Sequence, residues 1–271
     1  MRATVLRRPA AWISGLALLL LVAPFAGLVL ATDWRHFGFA AGDGAAVAVS
    51  VGASLLALVL IVALGTPLAW WLARQRFRGQ WLIDSLLLLA LLTPPLAMGL
   101  LLATVYGPYG PAGTLLERAG LLLTNSMPAF VMAQFYAAFP YYVVAARAAF
   151  EGVPRELEQI ALTLGHSRSS SFFRVSLPLA RLGLVAALAL AWVRALGEFG
   201  VVLIVAYYPQ GIPVKLWVNL QNLGLEAVYP LLWVFFLVAL PLPLGLGAWA
   251  AGTARSAKPH HRPIFPPILG P

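Results

Sequence analysis

Long apolar runs, interrupted at intervals by short polar clusters, set the pattern of this chain. Six runs stand out, at about 12–31, 46–73, 82–104, 128–150, 182–206 and 229–252, and they hold few charges. Each reaches the roughly 20 residues that a helix needs to cross a hydrocarbon core of about 30 Å. The segments between them carry Gly, Pro, Asn and charge, as they must where the backbone leaves lipid and needs water or side chains as partners. The pattern predicts an all-α membrane protein of six transmembrane helices, folded as one domain over residues 1–271.

One segment departs from the rhythm. Residues 151–180, "EGVPRELEQIALTLGHSRSSSFFRVSLPLA", turn polar for some thirty positions between the fourth and fifth runs. Pro154 suits the first position of a helix, and Glu156 and Glu158 fall in its first turn, where carboxylates favour the positive end of the dipole. Leu157, Ile160, Ala161 and Leu164 follow the spacing i, i+3, i+4, i+7 and form one apolar face. Gly165 then ends the helix, because left-handed geometry costs glycine nothing. Ser167 is placed to cap a second short helix, with Phe172, Phe173 and Val175 apolar and Arg168 and Arg174 polar. Pro178 is expected to stop that helix before the fifth span. Two short helices with a sharp turn can either lie on the membrane surface or project as a knob for a soluble partner.

Charge adds an orientation. The chain is 61% apolar, with 10% charged residues and a formal net charge of +9. With the N-terminus in the cytoplasm, 14 Lys and Arg fall inside and 3 outside (Arg35, Arg118 and Lys215). That bias is the signature of a topology signal and forms no single basic domain, so nucleic acid is not expected as a partner; membrane lipid is. Arg7 and Arg8 before an apolar run resemble a signal peptide, with Val29-Leu30-Ala31 as a conceivable cleavage site. The run is long enough to span, and a retained first helix is expected. The absence of cysteine removes disulfides and thiol chemistry. The C-terminal stretch from about 253 to 271 reads as a disordered tail, and its pair His260 and His261 as solvated rather than metal-binding. Neither catalytic residues, metal site nor cofactor is expected.

Charge inside the spans is scarce. Arg194 and Glu198, in "ARALGEFGVVL", stand i and i+4 on one face of the fifth run. Arg194 lies roughly 20 Å along the helix from Arg181, too deep for easy snorkelling. A charge there costs about 2.5–3.5 kcal/mol on insertion scales and should face protein or an aqueous path. The pair is open to two readings, a self-neutralising link between helices or part of a pathway lining or gate. Gly197 and Gly200 beside it would permit close helix approach at a dimer seam. In the third run, Pro94-Pro95 breaks the hydrogen-bond ladder and offers a bend.

The spacing Gly165, nine residues, Val175, one residue, Leu177-Pro178 resembles the "EAA" loop of ABC importer permeases, E-A-A-x3-G-x9-I-x-L-P. Ala161, Gly165, Val175, Leu177 and Pro178 match or substitute conservatively. The name-giving triplet reads Gln159-Ile160-Ala161, with Glu158 one position early. The resemblance implies a coupling helix seated in a groove of a separate ATPase. The chain holds no G-x4-G-K-[ST] and its two lysines, Lys215 and Lys258, follow no glycine-rich loop, so if ATP drives it the ATPase is expected to be a separate chain.

"ARALGEFG" is similar to a stretch of molybdate permeases, with related forms in tungstate and sulfate/thiosulfate permeases. "LLTPPLAMGLLL" and "VAYYPQGIPVKLW" resemble the same group. The likeness implies a type I ABC importer fold, a permease homodimer, two ATPase subunits and a periplasmic or lipid-anchored oxyanion-binding protein, with molybdate or tungstate favoured over sulfate or thiosulfate. A rival from another class, a proton-coupled secondary transporter using Glu198, leaves the loop spacing unexplained. It also calls for inverted repeats that the sequence does not display.

Overall fold

A computed structural model describes residues 7–256, and it is helical from end to end. Helix α1 is Arg7–Ala31, α2 Asp43–Arg74, α3 Gln80–Leu92 and α4 Pro95–Tyr106. A short α5, Pro111–Arg118, leads to α6, Met127–Glu151. The polar segment forms α7, Arg155–Thr163, and α8, Arg168–Ser171, which continues through a π-helical turn, Phe172–Ser176, into α9, Leu177–Leu196. Then come α10, Gly200–Val205, α11, Ile212–Leu223, α12, Tyr229–Ala239, and α13, Pro241–Ser256. Five stretches are long and apolar enough to cross a membrane, and α3 with α4 makes a sixth when the bent pair is counted as one span.

The bundle centres on α2, α6 and α9. Where they meet, alanine is the commonest buried residue: Ala53, Ala57, Ala69, Ala133, Ala138, Ala146, Ala187 and Ala191 are at most 1% exposed. Between helices in lipid, water supplies little drive for association, so contact of small side chains and interhelical hydrogen bonds must do it. Gly65 shows how close the approach is: a Cβ there would stand 2.7 Å from the Tyr142 ring. At the next residue the Thr66 hydroxyl lies 2.7 Å from the hydroxyl of the same tyrosine. Buried Gln134 on α6 donates to the Ser54 hydroxyl at 2.8 Å and to the Ala195 carbonyl at 3.0 Å, joining all three helices. Helix α1 stands apart, touching α12 through Phe25 on Phe236 and through the Trp233 indole, which donates to the Thr32 hydroxyl at 3.0 Å.

Several expectations are corrected by the structure. The third span is two helices bent by 115° at Thr93-Pro94, far more than a kink. Pro94 cannot donate and disfavours the α region for the residue before it, and Pro95 starts a new helix instead. The fifth span likewise breaks at 197–199. Pro178 does not stop the helix before it: Arg168–Leu196 is one 29-residue stretch. The π turn lets Leu177 donate to the Phe172 carbonyl five residues back, so the missing N–H and the bulk of Pro178 fall where the ladder is already widened. Helices α5 and α11 lie where connections were expected. Helix α13 runs to Ser256, so the tail begins later than 253; His260 and His261 fall outside the described residues.

Candidate functional site

Two helix breaks meet inside the bundle. Helices α4 and α10 are the second halves of the third and fifth spans, and they pack through glycine. A Cβ on Gly200 would stand 2.6 Å from the Pro95 side chain, and one on Gly99 2.9 Å from Ile204. For Gly200 this replaces the dimer-seam expectation, since its close neighbour is Pro95 of the same chain; Gly197 is exposed. Gly200→Ala is therefore expected to push the half-helices apart at a cost of about 1–3 kcal/mol. The thermal unfolding midpoint of detergent-purified protein would report it, and an unchanged midpoint would mean the contact yields freely.

A helix that stops within a bundle leaves orphan N–H and C=O groups. Glu198 takes up one: its Oε1 accepts from the Val201 N–H at 2.7 Å at the start of α10. Its Oε2 meets the Arg194 guanidinium. The Ala195 carbonyl, near the end of α9, receives the Gln134 amide described above. Glu198 is 1% exposed, whereas the Arg194 side chain is 25% exposed. Arg194 reaches instead toward a cavity of about 210 Å3, where it is joined by Thr93, Pro94, Pro95, Tyr136 and Tyr141. Its guanidinium carbon sits 5.6 Å from the centre of the Tyr141 ring, a cation–π distance. Thus Arg194 and the Pro94-Pro95 pair, far apart in sequence, line one space, and Gly200 packs against Pro95 beside it.

Sequence patterning did not single out Tyr136, Tyr141, Thr93 or Gln134. Aromatic and hydroxyl side chains in an apolar run carry no facing signal until the helices around them are placed. Gln134 could have been found, as a lone amide with an obligation to bond within the fourth run.

The polar segment is built as expected in its turn and differently at its anchor. Gly165 has φ +88°. Its N–H bonds the Leu162 carbonyl at 3.0 Å and the His166 N–H the Ala161 carbonyl at 3.1 Å, both bonds of a Schellman turn. Ser167 caps α8 by accepting from the Ser170 N–H at 3.2 Å. Pro154 lies at the N-cap rather than the first helical position. Of the apolar face, Ala161 is 7% exposed and buried against the bundle; Leu157, Ile160 and Leu164 are 40, 54 and 75% exposed. Val175 and Leu177 are half-buried, and Pro178 is exposed.

Glu158 points inward. Its Oε1 accepts from Arg74 Nε at 2.8 Å, Arg74 Nη2 at 2.7 Å and the Ser176 hydroxyl at 2.6 Å. Arg74 also donates to the Val153 carbonyl at 3.1 Å, and Arg155 to the Ala73 carbonyl at 2.8 Å. The loop is thereby fastened to the end of α2. Residues 155, 158, 161 and 162 share one helix face, so a glutamate at 158 is on the side that reaches Arg74, and Gln159 is turned away from it by about 100°. Arg74 and Ser176 were not among the expected partners, because nothing local ties residue 74 to residue 158.

The chain is similar to several proteins of known type. A probable molybdenum ABC transporter permease protein of Haloferax volcanii is 44% identical over 191 residues, 70% of each chain. The molybdenum transport system permease protein ModB of Escherichia coli K12 is 35% identical over 215 residues, covering 78% of this chain and 94% of that one. The molybdate/tungstate transport system permease protein WtpB of Pyrococcus abyssi is 30% identical over 192 residues, 71% and 72% of the two chains. Among solved structures, a bacterial alginate ABC transporter in complex with its alginate pentasaccharide-bound periplasmic protein has a chain of the same fold, with TM-score 0.73 at 17% identity, covering 91% of this chain and 94% of that one. Residues 65–254, from the middle of α2 nearly to the end of α13, match the family described as binding-protein-dependent transport system inner membrane component. With the polar loop and both broken helices inside that range, the chain belongs to this family of multi-pass ABC importer permeases.

Proposed function

We propose that this chain forms, as a homodimer, the membrane path of an importer for molybdate or tungstate. ATP would be hydrolysed by two copies of a separate ABC ATPase, and the anion delivered by a periplasmic or lipid-anchored binding protein. The termini and the 151–180 loop face the cytoplasm in this reading, as the 14-to-3 distribution of Lys and Arg requires. The cargo is supported by the three relatives named above, at 30–44% identity, which are molybdenum or molybdate/tungstate permeases.

The observation that carries the coupling role is the exposed apolar crest of α7, Leu157, Ile160 and Leu164, on a helix whose other face is locked to α2 through Glu158 and Arg74. A surface helix merely resting on lipid needs no such lock; an element that transmits movement does, because a lever works only if it is rigid at its root. Ala161, Val175, Leu177 and Pro178 then serve as the seat of that lever. At the other end of the path, Arg194 lends positive potential to the cavity between the half-helices, and Pro94-Pro95 and Gly197–Gly200 are the joints at which those halves can move.

Gly165→Val tests the coupling role. A β-branched residue at φ +88° is strained, by roughly 1–2 kcal/mol, and the angle between α7 and α8 should open. Wild-type protein purified with its ATPase is expected to give two copies of each chain by native mass. The variant should lose the ATPase or hydrolyse ATP without uptake. A variant that keeps the ATPase and transports at the parent rate would return α7 to the role of a surface helix.

A further inference from the structure

A second polar pocket lies at the loop end of the bundle, between the end of α2 and the α7–α8 turn. It measures about 310 Å3 and is lined by Trp70, Arg74, Arg155, Glu158, Arg168 and Ser171, among others. Its charge is unbalanced. Glu158 is occupied by Arg74 and Ser176, while Arg155 and Arg168 have no carboxylate within ion-pair distance among the described residues. Two donors on its lining residues are buried without partners: the Trp70 indole N–H and the hydroxyl of Ser171, a residue only 4% exposed. An indole can only donate, and a buried donor left unpaired is costly. Two arginines and two idle donors together ask for an anionic, oxygen-rich acceptor such as a phosphate.

The pocket does not end there. It shares Trp70, Gln75 and Arg168 with a neighbouring cavity of about 540 Å3, walled by Pro67, Trp71, Phe172 and Phe173. That cavity shares Pro67, Phe172 and Phe173 with an apolar groove of about 490 Å3 between α2 and α9, which runs on past Val62 and Leu188. From Gln75 back to Val62 the groove follows α2 for about 20 Å at 1.5 Å per residue, more than the depth of one leaflet's hydrocarbon, roughly 15 Å. A phosphate-binding mouth leading into an apolar channel of that length matches an anionic phospholipid, with the headgroup in the arginine pocket and the acyl chains along α2 and α9. We infer that this groove is a binding site for an anionic phospholipid, bound where the coupling loop is rooted. The inference rests on the membrane-permease reading but not on its cargo, its ATPase or its sidedness.

The test uses the full chain, purified in detergent and titrated separately with phosphatidylglycerol and phosphatidylcholine, with bound lipid counted by native mass spectrometry. One phosphatidylglycerol per chain is expected to survive desolvation, with phosphatidylcholine lost. Arg168→Gln should weaken retention roughly tenfold, the size of one charge-assisted hydrogen bond. Arg168 is exposed, so the variant keeps its fold. Arg76→Gln, an equal loss of charge at an exposed position outside the pocket, should leave retention unchanged. Ser171→Ala should weaken it without altering charge, and millimolar inorganic phosphate should not displace the lipid. Equal retention of both lipids, or equal losses in the Arg168 and Arg76 variants, would overturn the site. So would binding of inorganic phosphate with no lipid preference, or a second protein chain held in the groove in place of lipid. All of these readouts can fail while the permease reading stands, because none of them measures transport.

Discussion

Arg194→Met alone is expected to lose most of the folded protein, while Glu198→Gln alone is milder and the double variant recovers assembly. The order follows from where the two charges sit. Glu198 is 1% exposed, and Arg194 is its ion-pair partner; without Arg194 a carboxylate is left buried and bare, at a cost of about 3–5 kcal/mol. Glu198→Gln leaves Arg194 unpaired, but that side chain opens onto the cavity at 25% exposure and rests on Tyr141. The glutamine also keeps a carbonyl oxygen for the Val201 N–H that Glu198 now satisfies. With both changed, no buried charge remains and the two breaks can close on each other. Uptake per assembled complex then separates the two roles. Under the proposal the double variant assembles but carries anion poorly, and Arg194→Lys with Glu198 intact retains part of the rate, since a positive field does not need the guanidinium fork. Parent-like uptake by the double variant would leave the pair as a link between helices and nothing more.

Arg74→Met should have the second-largest effect, and a different character. The side chains of Arg74 and Glu158 are 8% and 14% exposed, and Arg74 bonds both Glu158 and the Val153 carbonyl. Its removal strands a buried carboxylate at a cost of about 3–5 kcal/mol, spent locally because the loop is joined to the bundle mainly at this point. The helices of the membrane bundle are expected to stay folded while α7 detaches. ATP hydrolysis by the complex should persist or rise as uptake falls, with hydrogen exchange increasing only over 154–176. Glu158→Gln keeps an acceptor for Ser176 and should be intermediate. If exchange rises equally along α2, α6 and α9, the pair holds the bundle rather than the loop.

Residue order alone determines much of this molecule. Runs of twenty apolar residues can satisfy their backbone in lipid only as helices, so the number of spans and the all-α class follow from composition and length. The turn at Gly165 and the cap at Ser167 were legible too, because each is settled within five residues of chain: a left-handed residue, a hydroxyl three positions before a free N–H. What failed on local reading was the fate of the prolines. Pro94-Pro95 and Pro178 show the same missing donor, yet one produces a 115° bend and the other sits in an unbroken 29-residue helix. The difference lies in what surrounds them. Gly200 admits Pro95 to within contact and lets α4 fold over, whereas the π turn before Pro178 has already widened the ladder, and Phe172, set against Trp70, Phe150 and Phe173, anchors it in place.

Pairings across the chain were likewise beyond the sequence. That Arg194 faces Tyr141, that Arg74 waits for Glu158 84 residues away, and that Gln134 ties α6 to α9 are decided when the alanine-lined faces of α2, α6 and α9 close together. In lipid, apolar patterning says which residues cross but gives little direction to a face, because a tail of lipid is as good a neighbour as a leucine. The few polar atoms and the smallest side chains supply that direction, and only in three dimensions do they find one another.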